Sequence, residues 1–203
     1  MSGLREKQKA ERQRRLVRAA AAHFREAGFE KTRIEEIAAT AELSAGTVYN
    51  YYRHKGELLI AVVAMEVHEV LAAGEPLVQH PPETAESAIN ALIDTYLDHA
   101  LVYLSKDNWR HAMAAAIAQP DAVLARRYTE LDARLADQVR RLLDSLQQRG
   151  AVRADLDTIA FGKMIFNNTN QLFTEYVKEE GQELAELKAG LRAQHAALCR
   201  LIA

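Results

Sequence analysis

Polar side chains between Arg33 and Lys55 have the types and the spacing that could recognise nucleic acid. An Asn can pair with adenine through two hydrogen bonds, an Arg can do the same with guanine, and a Thr can touch the methyl group of thymine. The candidates for base edges are Arg33, Thr47, Tyr49 and Asn50. Hydroxyls and cations bind phosphate, which sets affinity and register but carries little sequence information. The candidates for phosphate are Ser44, Tyr51 and Lys55.

Two short helices joined by a tight turn would position these side chains. Thr32 and Glu35 have the spacing of a capping box at the start of the first helix. Ser44 can cap the second helix, whose first residues, Ala45 and Gly46, are small enough to let the backbone approach a surface closely. Helical spacing predicts that the following side chains face inward, with Leu43 buried in the turn: Ile34, Ile37, Ala38, Ala41, Val48 and Tyr52.

This arrangement is the plan of a DNA-reading helix-turn-helix. The sequence also allows packing roles for Tyr49 and Tyr51 and simple solvation of Arg33. The charge distribution agrees with a DNA contact. Residues 1–55 hold 12 Lys/Arg and 7 Asp/Glu, whereas residues 56–203 hold 14 and 21. A basic head on an acidic body is typical of a phosphate-binding module attached to a second function.

The segment from Gly46 to Leu58, GTVYNYYRHKGEL, resembles the end of the DNA-binding domain of tetracycline-repressor (TetR/AcrR) family regulators. The segment from Ala19 to Ala38 is similar to the helix, Gly-Phe turn and helix start that precede it in the family. Tyr52 stands where Phe is more usual, and Gly56 where an acidic residue is. The resemblance covers about the first 60 residues. It implies a homodimeric transcription regulator, most often a repressor released from DNA by a small-molecule ligand.

The rest of the chain is predicted to be helical throughout, which gives an all-α protein of about nine helices. A helix-turn-helix domain over 1–55, with a flexible basic arm over 1–10, would precede a helical ligand-binding and dimerisation domain over 56–203. Besides the helix-turn-helix pair, the predicted helices are Ala10–Ala27, Lys55–Ala73, Glu83–Leu104, Asn108–Ala118 before Pro120, Asp121–Gln148, one capped by Asp155 that reaches Glu180, and one from Glu183 to the C-terminus.

Two apolar stripes near the C-terminus predict a dimer interface. Leucines on a 3–4–7 spacing, with one Gln in the same seam, are typical of helices that pair across a two-fold axis. The seam on the last helix consists of Leu184, Leu187, Leu191, Gln194, Leu198 and Leu201. The stripe on the preceding helix consists of Ile159, Gly162, Phe166, Phe173 and Val177. Packing of both stripes within one chain is the alternative.

The resemblance also implies a small-molecule pocket among the middle helices. Thr169 and Asn170 lie on or beside an apolar arc, where a polar group needs a partner such as a ligand, water or second subunit. Neighbouring helices supply aromatic and soft side chains. The candidate ligand residues are Tyr96, His99, Tyr103, Trp109, Met113, Tyr128, Phe166, Thr169 and Asn170. Ordinary core packing is the alternative for each of them.

The sequence holds no motif for catalysis, metal binding or a cofactor, since no HExxH, P-loop, GxGxxG or GxSxG occurs. Cys199 is the single cysteine, and no apolar run approaches the roughly 20 residues of a membrane helix. We therefore expect a cytoplasmic regulator, with no enzymatic activity, that binds an operator in double-stranded DNA as a homodimer. The alternatives are a constitutive DNA-binding protein without an effector, and a ligand-binding or enzymatic protein whose head no longer binds DNA.

Overall fold

The computed structural model describes residues 2–118 and 123–202, and this part of the chain folds into nine α-helices without a strand. The helices are α1 Ser2–Ala27, α2 Ile34–Thr40, α3 Ala45–Tyr51, α4 Lys55–Gln79, α5 Ala85–His99, α6 Lys106–Ala118, α7 Val123–Gln148, α8 Thr158–Lys178 and α9 Leu184–Ile202. The all-α prediction is confirmed. The predicted helix start at Asp121 and the break at Pro120 lie outside the described residues.

Several helices begin or end elsewhere than the sequence indicates, among them α5, which ends at His99 instead of Leu104. α1 begins at Ser2 instead of Ala10, because residues 3–10 are mostly good helix formers even though they bury nothing. α4 continues through Pro76 to Gln79 instead of ending at Ala73. Asp157, and not Asp155, caps α8 by accepting a 3.0 Å hydrogen bond from the amide of Ala160. Asp155 pairs with Arg153 instead.

The chain forms two compact units, the first from residues 1–66 and 101–128 and the second from 67–100 and 129–203. In the first unit α6 packs on the end of α1. Asn108 is fully buried, and its Nδ2 donates a 3.0 Å hydrogen bond to the carbonyl of Phe24. Arg25 donates to the carbonyl of Val102 at 2.8 Å. The first unit is therefore built from two separate stretches of sequence.

In the second unit α5 packs against α9 along a series of polar pairs. Lys188 contacts Asp98 at 2.6 Å and Asp94 at 3.7 Å, and Asp94 also pairs with Arg192. Further along, the Nδ1 of His195 lies 2.8 Å from the Oδ1 of Asn90. The paired residues recur about one helical turn apart on both helices, so the pairs fix the register between α5 and α9.

A buried polar cluster in the second unit explains why α4 persists beyond Ala73. Gln138 is fully buried, accepts a hydrogen bond from the hydroxyl of Tyr96 at 2.8 Å and donates to the carbonyl of Leu71 at 2.8 Å. Arg141 donates two hydrogen bonds of 2.9 and 2.8 Å to the carboxylate of Glu75, and these bonds lower the pKa of that carboxyl. These contacts hold residues 71–75 helical although Pro76 supplies no amide hydrogen.

Candidate nucleic-acid interface

Two helices and the turn between them form the core of the candidate interface. Ile34, Ile37, Ala38 and Ala41 are buried, as their helical spacing predicts. The predicted capping box is wrong. Arg33 occupies the cap position of α2 without a side-chain cap, and the Thr32 hydroxyl donates to the carbonyls of Gly28 and His23 at 2.7 and 3.0 Å. Those carbonyls belong to the C-terminal part of α1 and to the residue that follows it, so Thr32 links the end of α1 to the start of α2.

The turn is closed by backbone hydrogen bonds. The amide of Leu43 donates to the carbonyl of Ala38 at 2.8 Å, and the amide of Glu42 to that of Ala39 at 3.0 Å. Glu42 adopts a left-handed φ of 54°, and its carboxylate pairs with Arg15 at 2.8 Å. Leu43, predicted to be buried, is half-buried. The turn thus reverses the chain over a few residues and fixes the angle between α2 and α3.

Ser44 caps α3, as predicted. Its Oγ accepts a 3.1 Å hydrogen bond from the amide of Thr47 and lies 2.8 Å from the hydroxyl of that residue. A Cβ added at Gly46 would meet nothing nearer than the Ser44 hydroxyl at 3.9 Å, and Ala45 is half-buried. The first turn of α3 therefore presents hydroxyls and open backbone.

The inward and outward faces of α3 separate cleanly. Val48 is fully buried and Tyr52 is 5% exposed, and the hydroxyl of Tyr52 accepts a 3.0 Å hydrogen bond from Gln13. Burial raises the pKa of Tyr52. Tyr49 is 50% exposed, Asn50 is exposed and Tyr51 is half-buried. The exposed amide of Asn50 has no side-chain hydrogen bond within the described part of the chain.

Two predicted contact residues have neighbours that the sequence did not indicate. The Nζ of Lys55 donates to the carbonyls of Glu30 and Thr32 at 3.0 and 3.2 Å and lies 4.6 Å from the centre of the Phe29 ring. Lys55 thus ties the start of α4 to the segment before α2. The side chain of Arg33 is 71% exposed, with a carboxylate oxygen of Glu35 at 3.7 Å. Arg33 is therefore accessible to a partner.

The candidate ligand residues divide between the two units. Trp109 is buried in the first unit, where Tyr103, Met113 and Tyr128 are half-buried. In the second unit Tyr96, Phe166 and Thr169 are buried, and His99 and Asn170 are half-buried. The buried hydroxyl of Thr169 needs no ligand as a partner, because it donates a 2.9 Å hydrogen bond to the carbonyl of Ile165 in the same helix. His99 retains a buried Nδ1 without a hydrogen-bond partner among the described residues.

Two surface depressions of the second unit lie away from those residues. One of about 380 Å³ is lined by Leu71, Ala133, Arg134, Asp137 and Arg141. The other, of about 590 Å³, lies at the turn between α8 and α9, with Leu172, Gly181 and Gly190 among its lining residues. None of the candidate ligand residues lines either depression.

Most members of the two predicted dimer stripes are covered by their own chain. Buried residues of the stripes are Gly162, Phe166, Phe173, Val177, Leu187 and Leu191. Ile159 and Leu201 are 70% and 71% exposed, Gln194 is exposed, and Leu184 and Leu198 are half-buried. On α9 the 3–4–7 seam follows one edge of the buried face, so its members pass from buried to exposed towards the C-terminus. The buried face consists of Leu187, Leu191, His195, Cys199 and Ile202.

The capped α3, with an apolar face inside and a polar face outside, defines a helix-turn-helix protein. Residues 16–62 match the model of the family described as bacterial regulatory proteins, tetR family. UidR, an HTH-type transcriptional regulator of Escherichia coli strain K12, is 23% identical over 184 residues, which cover 88% of each chain. Over residues 16–62 the chain therefore carries the N-terminal domain of TetR-family transcriptional regulators, which confirms the family resemblance of this segment. Members of this family regulate transcription and are not enzymes.

Two solved structures share the fold. A protein from Mesorhizobium loti MAFF303099 assigned to the TetR family gives a TM-score of 0.74 at 22% identity, covering 95% of this chain and 97% of that chain. FadR of Thermus thermophilus, a TetR-family repressor solved with lauroyl-CoA, gives 0.70 at 24% identity, covering 91% and 93%.

The described residues meet the requirements of neither a metal site nor a membrane-spanning helix. No group of three His, Cys, Asp or Glu side chains among them is arranged to hold a metal ion. No helix within residues 2–118 and 123–202 combines the length and apolar character needed to span a bilayer.

Proposed function

We propose that this regulator is a repressor that binds a palindromic operator as a homodimer and leaves it when a small molecule binds. The observation that carries the proposal is the outward face of α3. Asn50 and Tyr49 are exposed there, next to hydroxyls at the helix start. A helix of seven residues touches few bases, so useful specificity needs two copies.

Accessible apolar residues on α8 and α9 support the homodimer. Ile159 and Met164 are 70% and 55% exposed on α8, and Leu201 is 71% exposed on α9. Ala193 and Ala197 are exposed on α9 and are small enough for close helix contact. Two such helices from each subunit would form a four-helix bundle. Leu201→Glu should therefore shift the protein from dimer to monomer in sedimentation velocity, whereas Arg153→Glu, on an exposed loop, should not.

Release by a small molecule is supported by the likeness to FadR, which was solved with lauroyl-CoA. The effector would act by binding the DNA-incompetent state more tightly than the DNA-bound state, which lowers DNA affinity by the differential binding energy. Lauroyl-CoA is accordingly the first compound to test. The Nδ1 of His99 is buried without a partner among the described residues, so a hydrogen bond to an effector would satisfy this polar atom.

The operator is tested by selecting random duplex DNA on the purified protein and sequencing the retained pool at two salt concentrations. A palindrome with half-site centres about 34–36 Å apart, bound more weakly at high salt, is the expected result. Retention of duplex without an enriched motif would refute the operator proposal and favour a non-specific DNA-binding protein.

The effector is tested separately on the selected operator. Lauroyl-CoA and a panel of metabolites are titrated into the complex, and the fluorescence anisotropy of labelled DNA is followed. A constitutive DNA-binding protein would keep its affinity under all of them. Loss of DNA affinity with one compound would support a ligand-released repressor. The same compound should reduce the DNA affinity of His99→Ala by a smaller factor.

A further inference from the structure

The first three turns of α1 are positively charged and pack against nothing that the structure describes. Residues 3–12 are all exposed, and Leu4 is 66% exposed. Between positions 2 and 18 there are seven Lys/Arg and two Asp/Glu. The side chains of Arg5, Lys7 and Lys9 make no hydrogen bond or ion pair with any described residue. A bare helix with this charge is suited to a polyanion.

Between residues 5 and 18, the basic side chains of α1 lie mainly on two opposite sides of the helix. Arg5, Lys9 and Arg12 follow one another at four- and three-residue steps, and the next step reaches Leu16, which is fully buried. These three cations thus continue the side by which α1 packs on the first unit. Lys7, Arg14 and Arg18 lie on the other side, and the seventh cation, Arg15, pairs with Glu42.

The extension starts where α1 meets the helix-turn-helix. Gln13 contacts the hydroxyl of Tyr52 at the end of α3, and Arg15 pairs with Glu42 in the turn. The ten residues before Gln13 project about 15 Å further, at about 1.5 Å per residue. That length spans roughly half a helical turn of DNA, along which phosphates follow at about 1.7 Å per charge.

We propose that the side of α1 bearing Arg5, Lys9 and Arg12 is a second DNA-contacting surface. It binds the phosphate backbone beside the half-site that α3 reads. The inference rests on the proposed operator binding. DNA is the occupant because the extension is continuous with the DNA-reading module and matches the duplex in charge. A phosphate contact of this kind adds affinity and salt dependence at every sequence, without specifying a base.

The test compares two triple variants of the full-length protein on the selected operator flanked by ten extra base pairs on each side. Arg5→Gln, Lys9→Gln, Arg12→Gln should weaken binding by about tenfold or more and reduce the salt slope by about 0.9 for each phosphate that the protein no longer neutralises. Lys7→Gln, Arg14→Gln, Arg18→Gln removes the same charge from the opposite side and should weaken binding by less than about threefold. Arg5→Lys, Lys9→Arg, Arg12→Lys should restore wild-type affinity. Circular dichroism on each variant verifies that helix content is kept.

Equal losses in the two glutamine triples would overturn the assignment of a contacting side, since they would reflect net charge alone. Unchanged affinity and salt slope in the first triple, on an operator that the wild type binds, would overturn the second surface and leave the proposed function standing. Failure of the wild type to select any duplex would refute both. Loss of binding to vesicles of phosphatidylserine, with DNA affinity unchanged, would overturn the DNA assignment in favour of a membrane.

Discussion

Asn50 is the residue of α3 best suited to read a base. Its amide is exposed and makes no side-chain hydrogen bond within the described residues, so no internal contact competes with DNA. Asn50→Ala should cost about 1–3 kcal/mol on the selected operator and relax the preference at one base position. Titration of operators with single-base changes measures both effects, and the other positions serve as the internal control. If all base preferences stay intact, Asn50 is not a reading residue.

Lys55 has two possible roles that stability measurements can separate. Its Nζ is held by the carbonyls of Glu30 and Thr32, and hydrogen bonds from a charged donor contribute about 1.5–3 kcal/mol. Lys55→Met should therefore lower the free energy of unfolding by about 1–3 kcal/mol in urea titrations at neutral pH. The exposed cation Lys31 offers a control, since Lys31→Met should change stability by less than about 0.5 kcal/mol. Wild-type stability combined with weakened DNA binding would instead indicate a phosphate contact alone.

At the scale of elements, Gly162 lets α7 and α8 of the second unit approach closely. A Cβ at this position would lie 2.8 Å from the Cα and 2.9 Å from the amide nitrogen of Arg140, and backbone atoms cannot move aside cheaply. Gly162→Ala should reduce the free energy of unfolding by about 1–3 kcal/mol, despite the better helix propensity of Ala. Gly181→Ala has nothing within 4 Å and should be nearly neutral. Equal stability of the two variants, by thermal unfolding, would contradict the close contact.

Helical periodicity predicted the inward faces of α2 and α3 correctly, because a helix can bury its stripe of Ile, Ala and Val only by turning that face towards the core. It could not predict contacts that depend on distant residues. Thr32 has the spacing of a cap, but its hydroxyl donates to the carbonyls of His23 and Gly28 instead. Leu187 and Leu191 fit a dimer seam in sequence, yet α5 and α9 pack together and both side chains are buried. Local spacing predicts which face of a helix is buried, but it does not identify the element that covers this face.

At the scale of the whole molecule, two titratable groups, the buried His195 and the half-buried Asp132, act on stability in opposite directions. Burial lowers the pKa of His195 to about 4 from 6.5, so on acidification the unfolded chain takes up a proton before the folded one and stability falls. Burial raises the pKa of Asp132 to about 6 from 3.8, so the folded chain takes up a proton first and stability rises. Between pH 7 and 5 each effect amounts to about 1–2 kcal/mol, and they largely cancel.

Single variants should uncover the two contributions. Asp132→Asn removes the group whose protonation stabilises the folded chain. From pH 7 to pH 5 the free energy of unfolding of this variant should therefore fall by about 1–2 kcal/mol more than that of the wild type. His195→Gln removes the group whose protonation destabilises the folded chain. Over the same interval this variant should retain more of its pH 7 stability than the wild type. Urea unfolding at both pH values, with the double variant as reference, measures the changes. Parallel pH dependence in all four proteins would show that neither group titrates between pH 7 and 5.

The discontinuous first unit limits how this regulator can be recombined with its relatives. A chimera that carries only residues 1–66 into another regulator would leave behind Asn108, which donates to the carbonyl of Phe24, and Val102, which accepts from Arg25. The ring of His111, 4.7 Å from that of Phe29, would be missing as well. A transplant of DNA specificity must therefore bring residues 101–128 with it, or be confined to the outward positions of α3. Gene exchange during evolution meets the same constraint, which favours change by substitution in α3 over the swapping of whole heads.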